Sequence, residues 1–423
     1  MNRLRVTLGP VLALTAGWLL TRALMLWLLG HDGSPLLGGG AVAREVSRLY
    51  FRWYEVLAHG SFPVHDTLWQ YPPGAGVVLL APSLVPGLTY FQGFVALTLT
   101  ADALITAALV RAGGRPGRSL LGAAVWTGGL PLLLNLPLAR YDVQVTAFAV
   151  LSLLTLGRSP RAGGVLGALG ALVKGWPVLV LLGTPRGRAS RSAWGWAAAA
   201  GALATAALAV SFRHPLSFLS GQSGRGVQIE SLGGTALNLA RHAGWPGRAR
   251  YQYGAIELVG PHADAVATAS LALTAVALGL LVLWRVRARH WSEATPHDAA
   301  LCAVLLFTVT SRVISPQYMV WLLGLAAVCL TSRHTGQRPV AVLVLAASAL
   351  STVVYPLFYG EVMAGTWTGC LLLLGRNGLL VAAALLSFVR LWRTAGPPVA
   401  KRSKTREPRP DSDRLPDRTP SLS

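Results

Sequence analysis

The sequence predicts an all-α polytopic membrane protein: a bundle of about twelve transmembrane helices with further helices lying at the outer surface. Three observations carry this. Hydrophobic residues make up 53% of the chain and charged residues only 13%, about half the share in a soluble domain. Mean hydropathy is +0.51. The apolar runs, such as 197–210 and 341–354, are long and do not alternate. A lipid-spanning segment must satisfy its own backbone groups, so the choice lies between helices and a closed barrel, and unalternating runs exclude the barrel.

The net charge of +21 would point to nucleic acid in a soluble protein. In a membrane protein it is read instead as arginine in cytoplasmic loops, with no nucleic-acid partner. Of the 37 basic residues only Lys174, Lys401 and Lys404 are lysines. Cys302, Cys329 and Cys370 sit inside apolar runs, with neither metal-ligand nor disulfide spacing.

The elements follow in order. Arg3 and Arg5 precede an apolar stretch over 6–29, too long for a secretory h-region, so it is read as a retained first helix with its N-terminus inside. A polar outer loop, 30–73, contains a surface helix over 45–58, with Leu49, Trp53, Val56 and Leu57 on one face and Glu45, Arg48, Arg52 and Glu55 on the other. The run 74–88, broken by Pro82, Pro86 and Gly87, is too short to cross and is read as juxtamembrane.

Crossings are expected over 91–110, 119–137 and 143–156. The stretch 164–182 carries Lys174-Gly175-Trp176-Pro177 at its middle and arginines on both flanks, so it reads as two half-helices with Lys174 near the outer turn. A crossing over 194–212 leads to a second long outer loop, 213–261, and crossings over 265–284, 299–313, 319–330, 340–355 and 367–388 follow. Residues 1–395 form one membrane domain, and 396–423, rich in Pro, Arg, Asp and Ser, a disordered cytoplasmic tail. Most acids outside the tail, Glu45, Asp66, Asp142, Glu230 and Glu257 among them, fall on the outer face although the arginines alone set the orientation.

Residues with chemical potential gather on that face. The first loop holds Glu45, Tyr50, Trp53, Tyr54, Asp66 and Tyr71: a carboxylate to take a hydroxyl proton and rings on which a sugar can stack, or interfacial anchors beside a solvated acid. Arg140 and Asp142 form either a structural pair or a phosphate hold. Lys174, a cation in an apolar segment, calls for an anionic partner. Gly224-Arg225-Gly226-Val-Gln228-Ile-Glu230 offers close backbone approach with anion and hydroxyl contacts. Arg312 lies before Ser315-Pro316-Gln317-Tyr318, where a new helix begins.

Six stretches, Tyr50-Phe-Arg-Trp-Tyr-Glu-Val-Leu-Ala-His-Gly60, Trp69-Gln-Tyr-Pro-Pro73, Arg140-Tyr-Asp142, Leu172-Val-Lys-Gly-Trp-Pro177, Arg225-Gly-Val-Gln-Ile-Glu-Ser231 and Ser311-Arg-Val-Ile-Ser-Pro-Gln-Tyr-Met-Val-Trp321, run in order. Together they resemble the polyprenol-phosphate-sugar-dependent glycosyltransferases of the GT-C superfamily, specifically the mannosyltransferase-like glycosyltransferase family 87. The resemblance implies a GT-C-type helical bundle in the cell membrane with an extracytoplasmic active site. It implies inverting transfer of mannose or a pentose from a polyprenyl-monophosphate donor to a lipid or glycan acceptor. Cofactors are none, because such enzymes are generally metal-independent. It further implies a catalytic base a few residues before Tyr50-x-x-Trp53, where Glu45 stands in place of the family's more usual Asp; Asp66 is the reserve. Lys174, Arg140, Arg225 and Arg312 would hold the donor phosphate, and Tyr50, Trp53, Tyr71, Asp142, Gln228, Glu230, Gln317 and Tyr318 would contact sugar or acceptor. The competing class is a transporter or lipid flippase, which the gathering of polar residues in loops rather than mid-helix disfavours.

Overall fold

A computed structural model describes residues 8–37, 39, 41–221 and 224–394. The expected tail over 396–423, and Arg3 and Arg5, lie outside the described residues.

The chain is a bundle of apolar helices. Among the described residues, Leu8–Gly30, Tyr90–Gly113, Arg188–Ser211, Ala263–Arg287, Arg338–Leu357 and Trp367–Thr394 are long and apolar enough to cross a membrane. Gly74–Leu84, Leu121–Leu133, Asp142–Leu156, Pro160–Val173, Thr295–Thr310 and Tyr318–Leu330 are shorter apolar helices of 10–17 residues. The two sets differ in surroundings. Leu20, Leu203 and Val210 on the long helices are largely exposed, as lipid-facing side chains would be. In Tyr318–Leu330 every residue from Met319 to Leu330 is buried, so that helix meets protein all round.

Sequence punctuation sets the breaks. The segment after Leu121–Gly129 tightens into 3-10 turns over Leu130–Leu133 and Leu136–Ala139, each with a proline in its first turn. Pro160–Val173 ends at Lys174, whose backbone is extended, and the chain resumes as a 3-10 helix over Trp176–Gly183. The two half-helices expected around Lys174 are therefore present, one α and one 3-10.

Two features depart from the sequence reading. The surface helix opens with a π-helical turn, Glu45–Tyr50, before the α-helix Phe51–Ala58. The helix buries Trp53 and Leu57 as expected, together with Val46 and Tyr50, while Leu49 and Val56 are only half-buried. The second long loop is also not wholly irregular. It contributes a small antiparallel sheet of β1 (Val227–Gln228), β2 (Arg248–Gln252) and β3 (Ala255–Val259), in the order β1-β3-β2, with Gln228 and Arg250 both paired to Glu257.

The first helix is tied to the bundle by a buried ion pair. Arg22 donates from Nε and Nη2 to the two oxygens of Asp102, at 2.7 and 2.8 Å. The indoles of Trp18 and Trp126 donate to the same carboxylate, each at 2.7 Å. A charge at this depth is tolerable because every lone pair facing protein is used. Removing one partner strands the other: Asp102→Ala is expected to cost about 3–5 kcal/mol, and Arg22→Met with Asp102→Leu together much less. Thermal unfolding of the detergent-solubilised protein measures both, and equal losses would contradict this account.

Candidate active site

The two long loops meet over one cavity of about 680 Å³. Its walls come from segments far apart in sequence: Glu45 and Trp53; Gln70 and Tyr71; Arg140; Lys174; Arg225, Gln228 and Glu230; and Gln317 and Tyr318. The bundle side adds apolar Val178, Leu179, Leu278 and Phe307.

Lys174 reaches this cavity because Gly175-Trp176-Pro177 interrupts the helix there. Its Nζ donates to Asp142 Oδ1 at 2.7 Å, and the Trp321 indole donates to the same oxygen at 2.6 Å. Four rings enclose the ammonium, with centroids at 4.9 Å (Trp321), 5.2 Å (Tyr141), 5.6 Å (Tyr318) and 5.9 Å (Tyr71). The anionic partner called for by the sequence is thus Asp142, itself buried at the start of Asp142–Leu156 and not on the cavity wall.

Arg225 is positioned by its neighbours. Its Nη1 lies 3.3 Å from Gln70 Oε1, and its Nε lies 3.9 Å from the carboxylate of Glu257, which is fully buried. Arg312 does not line the cavity; it donates to the Arg225 carbonyl at 2.7 Å and so supports the loop from behind. Gln228 closes the arrangement by accepting from the Ile314 N–H at 3.0 Å.

In the first loop, Glu45 lines the cavity with an oxygen 3.7 Å from Arg140 Nη2. Arg140 is otherwise spent on the carbonyls of Val42 and Ala139. Tyr50 is buried behind the wall, stacked on Trp53 at 5.8 Å. Asp66, the alternative carboxylate, is held away from the cavity: it accepts from Arg52 at 2.6 Å, from the Trp53 indole at 2.9 Å and from the Leu68 N–H at 2.9 Å. Burial, and then the charge of Glu45, push the Tyr71 phenol well above its ordinary value, so it is a hydrogen-bond donor at neutral pH.

Glu230 marks the far wall. One of its oxygens is 3.3 Å from Arg376, which also donates to the Glu230 carbonyl at 2.8 Å, and Asn377 donates to that carbonyl at 3.1 Å. Burial lifts the Glu230 carboxyl from 4.5 to about 7, against the opposing pull of Arg376 and Gln228.

Five contributors escaped the sequence reading. Glu257 and Arg376 act by pairing across 32 and 146 residues of chain, which no local spacing reveals. Tyr355, Tyr251 and Tyr253 also line the cavity. The last two had a local signal: alternation around Tyr253-Gly254, a two-residue hairpin turn. Among the described residues, no group of three or more His, Cys, Asp and Glu side chains could hold a metal ion.

The model of glycosyltransferase family 87 matches residues 69–316, more than half of the chain. The chain belongs to glycosyltransferase family 87. It is therefore a glycosyltransferase, and its apolar helices are those of a membrane enzyme. No curated protein and no solved structure matches it. The matched stretch contains Tyr71, Arg140, Asp142, Lys174, Arg225, Gln228, Glu230 and Arg312; Glu45, Tyr50, Trp53 and Asp66 precede it, and Gln317 and Tyr318 follow it.

The Glu230 shift has a signed consequence for this glycosyltransferase. Folding favours the neutral carboxyl, so its contribution to stability is complete below 4.5 and is lost as pH rises through about 7. The wild-type unfolding temperature is expected to fall across that window relative to Glu230→Gln, which stays uncharged; parallel profiles would show that Glu230 is ionised throughout.

Proposed function

We propose that this glycosyltransferase moves a sugar, mannose or a pentose, with inversion from a polyprenyl-monophosphate donor to a lipid or cell-envelope glycan acceptor on the extracytoplasmic face. The observation that carries this reading is one cavity holding Glu45 from the first loop together with Lys174 and Arg225 from two other segments. Apolar Val178, Leu179, Leu278 and Phe307 continue the same wall toward the bundle, as a lipid-linked substrate requires.

In the proposed step Glu45 takes the proton of an acceptor hydroxyl as its oxygen attacks the anomeric carbon. The bond from that carbon to the phosphate oxygen breaks, and polyprenyl phosphate leaves with one further negative charge. Lys174 and Arg225 are set in place before the reaction, so charge that develops on the leaving phosphate meets cations needing no reorganisation. Arg140 lies beside Glu45 and helps direct its carboxylate. Arg312 acts through the Arg225 backbone, Asp142 through Lys174, and Tyr50 through Trp53. Trp53, Tyr71, Gln228, Glu230, Gln317 and Tyr318 supply rings and hydrogen-bonding groups for sugar and acceptor. Asp66, bound to Arg52 and Trp53, serves the loop rather than the proton transfer.

Glu45→Gln is expected to lower transfer from polyprenyl-phosphate mannose roughly 10²–10⁴-fold without lowering the unfolding temperature, as read in proteoliposomes; full activity would remove Glu45 as base. Asp66→Asn should act chiefly on stability. Arg225→Gln should lower kcat more than it raises KM for the donor, because the charge it meets develops in the transition state. Substrate movement across the bilayer with no glycosylated product would support a transporter instead.

A further inference from the structure

The hairpin formed by β2 and β3 has no part in the proposed transfer step, yet its tip is part of the cavity wall. Tyr251, Tyr253, Gly254, Ala255 and Ile256 all line the same space as Glu45. The turn holds Tyr253 at φ 51° and Gly254 at φ 76°, both left-handed. Two such residues make the tight turn whose twist matches antiparallel strands. At Tyr253 a residue with a side chain occupies a conformation that favours glycine, which costs free energy and requires the surroundings to hold it.

Those surroundings are visible. Buried Glu257 on β3 accepts from Gln252 Nε2 at 2.5 Å and from the Gly226 N–H at 3.1 Å. The hairpin is thereby locked to the loop that carries Arg225. Gly224 passes so close beneath Tyr253 that a Cβ there would lie 2.5 Å from the phenol oxygen. Tyr251, by contrast, is 60% exposed. Partial burial and then the charges of Glu45 and Asp66 raise its phenol above the ordinary value, and it lines the same cavity as Glu45.

The cavity thus has two kinds of wall. Val178, Leu179, Leu278 and Phe307 come from the apolar bundle, where a polyprenyl chain belongs. Tyr251 and Tyr253 come from a polar loop, where a water-borne sugar arrives. We propose that the hairpin tip is the acceptor platform: Tyr251 and Tyr253 bind a sugar unit of the acceptor and present its hydroxyl to Glu45, which makes the acceptor a carbohydrate. This rests on the transfer reading above for the role of Glu45. A phenol ring suits the task, with an apolar face for the sugar's C–H groups and an oxygen for its hydroxyls.

The test uses the full chain in lipid nanodiscs and two probes, octyl α-D-mannopyranoside for the acceptor side and undecaprenyl monophosphate for the donor side. The variants are Tyr251→Ala and Tyr253→Gly, the latter keeping the left-handed turn while removing the ring, with Arg250→Ala as an exposed control on the same strand. Tyr251→Ala and Tyr253→Gly are expected to weaken mannoside binding roughly five- to tenfold and leave undecaprenyl phosphate binding unchanged, with no fall in the unfolding temperature. Unaltered mannoside binding in both variants, no saturable mannoside binding by the native protein, or equal losses for both probes would each overturn the proposal. Binding of undecaprenyl phosphate by the native protein is a separate arm: its absence would strike the donor assignment, while the mannoside arm still decides the hairpin.

Discussion

Lys174 is the constraint around which the site is arranged. A cation inside an apolar segment needs a counter-charge or a route to water. Here it has Asp142 at 2.7 Å and four aromatic rings. Meeting that need fixes a great deal. Asp142 must open its helix at this depth, and Trp321 must turn its indole onto the same oxygen. The half-helix carrying Lys174 must end where it does. Tyr71 and Tyr318 are drawn to the ammonium from two further segments, which brings the first loop and the start of Tyr318–Leu330 onto the same cavity.

The same principle recurs at each charged group near the cavity. Arg225 leans on Glu257, Glu230 on Arg376, and Glu45 lies by Arg140. In every pair at least one partner is buried, so each position is set by the fold. Pairs of this kind add little to net stability, because desolvation offsets their attraction. Their value is orientation. In the proposed transfer, cations already in place meet a leaving phosphate without reorganising, which is where electrostatic catalysis gains most. Glu257 links two parts of the cavity wall, since the carboxylate beside Arg225 also fixes the hairpin that bears Tyr251 and Tyr253.

The bundle was legible in the sequence because lipid imposes one rule on every spanning segment, and runs such as 263–287 and 367–394 obey it without ambiguity. The break at Lys174-Gly175-Trp176-Pro177 was legible for the same reason: a charge, a glycine and a proline do not occur together in an uninterrupted apolar helix. The site's wall was legible in part. Glu45, Tyr71, Lys174, Arg225 and Gln317 sit in loops or helix ends, where polar residues need a purpose. Behind the wall the sequence was mute. Nothing near Arg376 announces Glu230, and nothing near Glu257 announces Arg225, because each contact is made by the fold rather than by spacing. The π-helical turn at Glu45 was hidden too, since a locally widened turn leaves no mark in the residue spacing.

In the proposed transfer, donor phosphate, sugar and acceptor meet in the cavity under the two loops. A structure of the protein in nanodiscs with undecaprenyl monophosphate bound tests it most directly. Phosphate oxygens are expected within hydrogen-bonding distance of Lys174 or Arg225, with the lipid chain running along Val178, Leu179, Leu278 and Phe307, and Glu45 free of contact with the phosphate. A phosphate bound elsewhere, or one resting on the hairpin tip with Lys174 and Arg225 untouched, would contradict it.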